Sequence, residues 1–297
     1  MLPSFKIQLK PHKKIYFASD FHLGAPNLKA SQEREKKIVS WLNSISNDAQ
    51  VIFLVGDVFD FWHEYKRVVP RGFTRLLGKL AELSDAGIKI IVFTGNHDLW
   101  MLDYLESELG IQVVRGSVEL VVSCESLSDE SRVLSDKLEV MSDESRVLST
   151  NLTTHDSRLT TNFYMNHGDG LGPGDNGYKL LKKWLFDNRL VKWAFRTLLH
   201  PDFALMVGQA WAGYSWRKHE KEVPPTFWGD DKEWLYLFAK EIESKQHHDY
   251  YIFGHRHIVL NHQVAENSKI IILGDWITHF TFGVFDGQNF ELNHYQE

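Results

Sequence analysis

The chain has 297 residues, of which 43% are hydrophobic and 13% aromatic, and its net charge is −6. That composition suffices for a packed interior, and the negative charge argues against a general nucleic-acid binder, whose contacts with phosphates need a basic face. The single cysteine, Cys124, excludes an intrachain disulfide and fits a reducing cytosol, while the absence of a signal-peptide core in residues 1–14 and of any long apolar run predicts a protein that is soluble or lies on a membrane surface.

Five short apolar runs, rich in β-branched and aromatic residues, predict buried strands, and each leads into a polar sequence. The runs and the sequences that follow them are 15–19 with Asp20-Phe21-His22, 51–55 with Gly56-Asp57, 89–94 with Gly95-Asn96-His97-Asp98, 162–165 with His167-Gly168-Asp169, and 250–253 with Gly254-His255-Arg256-His257. Open α/β sheets bind ligands just beyond the carboxyl ends of their strands. We therefore expect the five polar sequences to form one site.

Helical patterns separate the predicted strands. Residues 29–42, 73–83 and 99–109 predict helices, and Gly87 and Gly110 predict the ends of the last two. Alternation of strand, polar turn and helix indicates an α/β layered fold. Because the polar sequences span most of the chain, we predict one domain over residues 1–297 with extra structure inserted into it.

Residues 125–161 interrupt this pattern. The sequence of residues 128–135 recurs unchanged as residues 142–149, and the remainder is rich in Ser, Thr, Asn and Asp. Such low-complexity polar sequence rarely buries enough surface to offset the entropy of ordering it. We interpret it as a solvated insertion between two strands, in preference to a partner-binding arm.

Residues 178–221 are basic, with nine Lys or Arg against three acidic residues, and six of the ten tryptophans lie between Trp184 and Trp234. Basic residues mixed with tryptophan at helical spacing favour an amphipathic helical insertion that faces an anionic, partly apolar surface. The alternative is a pair of tryptophan-rich helices packed on the core with a solvated basic face. The range predicted for this insertion is 178–245.

The polar sequences offer carboxylate, amide and imidazole ligands without thiolate, a set that suits Mn²⁺, Fe or Zn²⁺. Asp20 and His22 are close enough in sequence to reach one ion, and His255 and His257 could serve two neighbouring ions. Asp57 is the natural bridge because a carboxylate has two oxygens. We therefore predict two divalent metal ions, a centre typical of phosphoester hydrolysis.

His97 is a candidate general acid. It adjoins the predicted ligand Asn96, which would place its imidazole beside the attacked phosphorus, with Asp98 orienting the ring. The alternative is that His97 only binds phosphate. Asp60 is expected to support the metal ligands from behind and not to bind metal itself.

The ordered motifs DxH, GDxxD, GNHD, HGD and GHxH resemble those of the calcineurin-like metallophosphoesterase superfamily over nearly the whole chain. The resemblance implies an α/β (α+β) fold, a four-layer αββα sandwich of two mixed sheets with a helical cap insertion. It also implies two sets of metal ligands. They are Asp20, His22, Asp57 and His257 for one ion, and Asp57, Asn96, His167 and His255 for the other.

Within that superfamily the chain is most similar to the UDP-2,3-diacylglucosamine diphosphatase family of lipid A biosynthesis. Residues 19–24, 56–62 and 167–171 carry the similarity, together with Asp175 and Tyr178. It implies hydrolysis of UDP-2,3-diacylglucosamine to UMP and 2,3-diacylglucosamine 1-phosphate, usually with Mn²⁺. One departure is that His97 stands where the best-known branch has arginine.

The same resemblance implies that Asp175, Tyr178 and Lys182 contact the sugar and phosphate, and that the insertion at 178–245 holds acyl chains. The leading hypothesis is thus a Mn²⁺-dependent hydrolase of a nucleotide-activated glycolipid, peripheral on the cytoplasmic face of the inner membrane and without an obligate protein partner. The alternatives are a phosphoesterase acting on soluble esters and a scaffold that keeps the fold without catalysis.

Overall fold

A computed structural model describes residues 2–65, 67–124, 160–172, 188–198 and 225–296, together with positions 179, 184, 200, 203, 206 and 208. Within these residues the chain forms two six-stranded sheets and five helices. The repeat at residues 128–149 and the predicted substrate contacts Asp175, Tyr178 and Lys182 lie outside the described residues.

The first sheet contains, in spatial order, β1 (Ser4–Leu9), β6 (Val118–Cys124), β7 (Thr160–Met165), β8 (Tyr250–Phe253), β10 (Ser268–Leu273) and β9 (Val259–Ala265). Strands β7, β8 and β10 are parallel, whereas β6 pairs with β7, and β9 with β10, in antiparallel fashion. The carboxyl ends of β7, β8 and β10 therefore lie together at the same end of the sheet.

The second sheet contains, in spatial order, β12 (Phe290–His294), β11 (Thr281–Phe285), β2 (Lys14–Ala18), β3 (Ala49–Val55), β4 (Lys89–Phe93) and β5 (Gln112–Val114). Strands β2 to β5 are parallel, and β11 and β12 add antiparallel pairs at one edge. Both sheets are mixed, as expected. The five strands predicted from apolar runs correspond to β2, β3, β4, β7 and β8.

The helices of the described residues are α1 (Leu28–Ile45), α2 (Thr74–Asp85), α3 (Tyr104–Leu109), α4 (Arg189–Leu198) and α5 (Trp234–Glu243). None of them is long and apolar enough to cross a bilayer. The predicted helix 99–109 begins only at Tyr104. The Glu64 carboxylate accepts the backbone N–H groups of Asp103 and Tyr104, at 2.9 and 3.1 Å, and so caps the helix there.

Alternation along the strands divides the buried residues between separate cores. In β3, Val51, Phe53 and Val55 lie in the core between the two sheets, whereas Ile52 and Leu54 pack against helices. Strands β2 and β4 alternate in the same way. Runs that are apolar at every position are what a sheet covered on both faces requires.

The helices supply the two outer layers. Trp41 of α1 and Leu80 of α2 pack on the outer face of the second sheet, and Leu235 and Ala239 of α5 pack on the outer face of the first. The order of layers is therefore helix, sheet, sheet, helix, which confirms the predicted sandwich. Helix α5 lies inside the range 178–245 predicted for the cap, and its apolar face forms an outer layer of this sandwich.

Candidate metal centre

All seven predicted metal ligands come together where the carboxyl ends of the parallel strands meet. Strands β2, β3 and β4 of the second sheet are adjacent and deliver four of them, and β7 and β8 of the first sheet deliver three. The predicted ligands are Asp20, His22, Asp57 and Asn96 from the second sheet and His167, His255 and His257 from the first. Adjacent parallel strands bring their ends together whatever the sequence distance between them.

Backbone conformation distinguishes these residues from their surroundings. Five of the seven have positive φ angles, namely Asp20 (57°), His22 (43°), Asp57 (51°), His255 (65°) and His257 (52°). Each non-glycine residue held in this region costs on the order of 1–3 kcal/mol, and such strain persists only where the surrounding structure enforces it. The fold therefore holds strained turns at the position where the predicted ligands meet.

The first group of ligand atoms belongs to Asp20, His22 and His257 and lies within 4.8 Å. Nε2 of His22 is 3.2 Å from Nε2 of His257, and Asp20 Oδ1 is 3.7 and 3.4 Å from these two atoms. On the far side of each ring, Asp60 Oδ1 lies 3.3 Å from His22 Nδ1 and Asp275 Oδ2 lies 3.6 Å from His257 Nδ1. Because carboxylates accept hydrogen bonds, they favour the ring proton on Nδ1 and the lone pair on Nε2. Facing lone pairs repel unless a proton or metal ion lies between them.

The second group belongs to Asp57, His167 and His255, again within 4.8 Å, and Asn96 lies beside it. His167 Nδ1 donates to the Val55 carbonyl at 2.8 Å, which leaves the lone pair on Nε2. That Nε2 is 3.2 Å from Asp57 Oδ2 and 3.3 Å from Asn96 Oδ1. Three lone-pair atoms thus converge, as they do around a cation.

Asp57 lies between the two groups. Its Oδ2 is 3.2 Å from His167 Nε2 and 3.6 Å from His22 Nε2, while its Oδ1 accepts the backbone N–H of His97 at 2.9 Å. This carboxylate therefore lies close to both candidate positions. Its bridging role stays a prediction, which this geometry permits.

The electrostatics of the centre favour positive charge. Burial on its own would lower the pKa of His22, but its contacts with Asp20 and Asp60 raise that pKa to about 10. Burial likewise opposes protonation of His167, yet the charge of Asp57 raises its pKa well above the ordinary value. Conversely, burial alone would raise the pKa of Asp57, and the charge of His167 holds it well below its usual range. Carboxylates, imidazoles and an amide around this negative potential fit divalent cations.

His97 lies at the rim of the centre, with its ring edge-on to that of His22 at 4.7 Å between centroids. Its Nδ1 is 2.9 Å from the Asp60 carbonyl oxygen and 3.5 Å from Asp60 Oδ1. Since both of those atoms accept, Nδ1 carries a proton, and Nε2 is the atom that can exchange a proton with a bound molecule.

The orienting role predicted for Asp98 requires correction, because Asp60 makes that contact. The Asp98 carboxylate instead accepts backbone N–H groups of Val58 at 2.8 Å, Phe59 at 3.3 Å and Gly95 at 2.7 Å. It therefore joins the loop after β3 to the loop after β4. Burial, together with the charge of Asp57, raises the pKa of Asp98 to about 7.

Close approach explains two glycines of the motifs. A Cβ on Gly95 would overlap the Asp57 carboxylate, and a Cβ on Gly254 would lie 2.6 Å from Asp20 Oδ2. Each glycine directly precedes a predicted ligand. Gly95 makes room for the ligand that follows the neighbouring strand β3, and Gly254 makes room for the ligand that follows β2 of the other sheet. The glycines therefore set how closely the ligand turns can approach.

Sequence reasoning missed two residues that support the ligands. Asp275 lies behind His257, and its Oδ1 also accepts backbone N–H groups of the next turn at 2.7–3.2 Å. The sequence did contain a signal for Asp275, because the apolar run 269–273 leads into Gly274-Asp275 just as the run 51–55 leads into Gly56-Asp57. Arg34 gave no such signal. From α1 its Nη2 donates to the carbonyls of His22 at 2.6 Å and Ala25 at 2.5 Å.

Comparison with known proteins agrees with this geometry. Residues 13–259 match the family described as Calcineurin-like phosphoesterase. The chain belongs to this family. The predicted superfamily is therefore confirmed, and with it the assignment of the protein as a metal-dependent phosphoesterase.

Three relatives carry the same name. The chain is 34% identical to the UDP-2,3-diacylglucosamine hydrolase of Porphyromonas gingivalis, over 94% of this chain and 96% of that protein. It is 22% identical to the UDP-2,3-diacylglucosamine hydrolase of Vibrio atlanticus, over 94% and 96% of the two chains. A shorter match, 30% identical over 29% of this chain and 34% of the other, is to the enzyme of that name from Neisseria meningitidis serogroup B.

Proposed function

We propose that the protein hydrolyses the diphosphate of UDP-2,3-diacylglucosamine, with release of UMP and 2,3-diacylglucosamine 1-phosphate, in lipid A biosynthesis. The observation that carries the proposal is the convergence of seven donor side chains from five strand ends. The Porphyromonas relative, similar over nearly the whole length of both chains, supports this choice of substrate.

The residues divide into two metal sites around Asp57. Asp20, His22 and His257 would complete one of them, and Asn96, His167 and His255 the other. Divalent ions held there, which we propose to be Mn²⁺, would acidify a water molecule and neutralise charge on the phosphate oxygens.

His97 would protonate the leaving oxygen. Its Nδ1 donates to the Asp60 carbonyl, so Nε2 is the ring nitrogen that can exchange a proton with the substrate. Asp98 would act indirectly, because it fixes the backbone of Gly95 and the turn after Asp57. Asp175, Tyr178 and Lys182 remain proposed contacts to the sugar and phosphate.

Exposed apolar side chains in the described part of the inserted segment support a role in binding acyl chains. In α4, Leu190 is 76% exposed and Trp193 is 59% exposed, one helical turn apart. Trp184, Phe203 and Met206 are also more than half exposed. Exposed apolar side chains of this size are a feature of surfaces that contact lipid or ligand, which supports the proposal.

One described residue of the inserted segment lies against a loop that supports the predicted metal centre. Gly208 packs so closely on the ring of Phe61 that a Cβ at position 208 would overlap it. Phe61 follows Asp60, whose carboxylate supports His22. Lipid held by this segment would therefore place its headgroup near the metals. We propose that the protein works on the cytoplasmic face of the membrane, with this apolar surface toward the lipid.

A substrate panel tests the proposal. Purified protein, stripped with a chelator and reloaded with Mn²⁺, would be offered UDP-2,3-diacylglucosamine in mixed micelles, UDP-N-acetylglucosamine and p-nitrophenyl phosphate. We expect efficient release of UMP from the acylated substrate only, and none after chelation. Turnover of the soluble esters alone would overturn the lipid assignment and favour a general phosphoesterase.

The matched variant is Trp193→Glu, which places a charge on the exposed face of α4. We expect it to raise KM for the acylated substrate while Mn²⁺ binding stays at the wild-type level. An unchanged KM would count against a lipid-binding role for α4.

A further inference from the structure

Arg256 stands between two predicted metal ligands, yet its side chain contacts a different part of the molecule. Its guanidinium forms a two-point ion pair with Glu233, with Nε 3.0 Å from Oε1 and Nη2 3.1 Å from Oε2. Nη2 also donates to the Thr226 carbonyl at 3.2 Å. Glu233 is fully buried and Arg256 is 8% exposed, so water does not compete with this pair.

Two indole rings lie against the same guanidinium. Its central carbon lies 4.2 Å from the ring centroid of Trp228 and 4.7 Å from that of Trp234. The planar guanidinium suits such stacking and two-point pairing, whereas the ammonium group of lysine suits neither. Arg256 is therefore fixed to the segment 226–234, which leads directly into α5.

The loop that carries Arg256 needs an external anchor. His255 and His257 on either side have φ angles of 65° and 52°, and the N–H of Arg256 donates to the Gly254 carbonyl at 2.7 Å in a tight turn. A strained turn of this kind persists only when its surroundings enforce it. On one side the His255 N–H donates to Asp20. Arg256 supplies the contact to α5.

We propose that Arg256 is a positioning residue that holds His255 and His257 in ligand geometry by anchoring their loop to Glu233 and the two tryptophans. One consequence is that metal affinity depends on a residue that does not bind metal. The inference rests on the proposed function only in taking the two histidines as ligands.

The test is Mn²⁺ binding measured by equilibrium dialysis, without substrate, on the full-length protein. We expect Arg256→Gln to bind Mn²⁺ about 10- to 100-fold more weakly, the range seen when partners behind metal ligands are removed. Arg256→Lys should not restore affinity. Lysine keeps the charge but cannot form the two-point pair with Glu233 or place a planar group against the indole rings. Glu233→Gln should weaken binding in the same direction.

Glu243→Gln is the matched control. Glu243 lies at the other end of α5, where its carboxylate accepts the Tyr251 hydroxyl at 2.6 Å and the His248 N–H at 3.1 Å. Loss of that charge should leave Mn²⁺ affinity unchanged. If Glu243→Gln weakens binding as much as Arg256→Gln does, general destabilisation explains the effect and the proposal is overturned.

Wild-type affinity in folded Arg256→Gln would also overturn it. If that variant does not fold, Glu233→Gln decides, and wild-type affinity there has the same meaning. Failure of the wild-type protein to hydrolyse UDP-2,3-diacylglucosamine would remove the proposed substrate but leave the dialysis result, and hence this inference, standing.

Discussion

The second sheet and the first sheet deliver different chemistry to the same centre. The second sheet provides both proposed ligand carboxylates, the amide of Asn96 and one imidazole, whereas the first sheet provides three imidazoles. Negative charge is thus concentrated at the ends of β2 and β3. The imidazoles are neutral when they bind metal, so on the first sheet the position of each ring matters more than its charge.

Supporting contacts act on the ligands of both sheets. Among the ligands from the first sheet, the His167 ring donates to the Val55 carbonyl of β3, the His257 ring lies against Asp275, and the loop between β8 and β9 is anchored through Arg256. On the second sheet, Asp60 lies against the His22 ring, and Asp98 joins two ligand loops through their backbones. The comparison predicts that loss of charge on the second sheet empties the centre, whereas loss of a support on the first sheet weakens it.

The largest effect is expected for Asp57→Asn. It removes one unit of negative charge from the position between the two ligand groups, so both Mn²⁺ ions and all activity should be lost. Mn²⁺ content by elemental analysis and UMP release would measure this. The control is Asp48→Asn, at the opposite end of β3, where the side chain accepts the Tyr16 hydroxyl at 2.8 Å. Retention of two ions in Asp57→Asn would refute the bridging role.

His97→Gln should come next. Loss of a general acid slows hydrolysis by about 10²- to 10⁴-fold, and the loss should shrink for substrates whose leaving group needs no proton. Metal content should stay at the wild-type level, because the His97 ring lies at the rim of the centre. A deficit equal for good and poor leaving groups would instead assign His97 to phosphate binding.

Asp275→Asn probes support on the first sheet. We expect Mn²⁺ affinity to fall by about 10- to 100-fold, since the contact behind the His257 ring weakens while every ligand remains. Equilibrium dialysis measures this affinity directly. Excess Mn²⁺ should restore activity in this variant but not in Asp57→Asn. If excess Mn²⁺ does not restore activity in Asp275→Asn, the predicted difference between the two sheets is wrong.

The smallest effect is expected outside the centre. Ser123 of β6 and Thr160 of β7 are directly opposite each other in an antiparallel pair, so a two-residue turn can join these strands. Replacement of residues 125–158 by Asn-Gly should leave Mn²⁺ content and activity unchanged. A folded but inactive product would show that the repeated sequence matters to function.

Local pattern predicted much of this structure. The apolar runs before Asp20, Asp57 and Asn96 are long enough and β-branched enough to specify buried strands, and parallel strands necessarily bring their carboxyl ends together. The pattern therefore predicts that the ligands lie close together, whereas their division between two ions came from the family resemblance. The fold class followed from the resemblance carried by the motifs.

Other supports could not be predicted in the same way, because they depend on contacts across the chain. Asp98 follows His97 in sequence, which favoured an interaction between their side chains, but its carboxylate is aimed at backbone amides after β3. The Asp60 carbonyl that holds His97 has no side-chain signal at all. Arg256 occupies the variable position of the GHxH motif, so the motif predicts no role for it. Its ion pair with Glu233 is visible only in the structure.

The most direct test of the account is a crystal structure of the Mn²⁺-loaded protein, with data collected at the manganese absorption edge. We predict two anomalous peaks, one on each side of Asp57, with His22 and His257 at the first and His167 and His255 at the second. A single peak, or two peaks that do not share Asp57, would contradict the dinuclear centre.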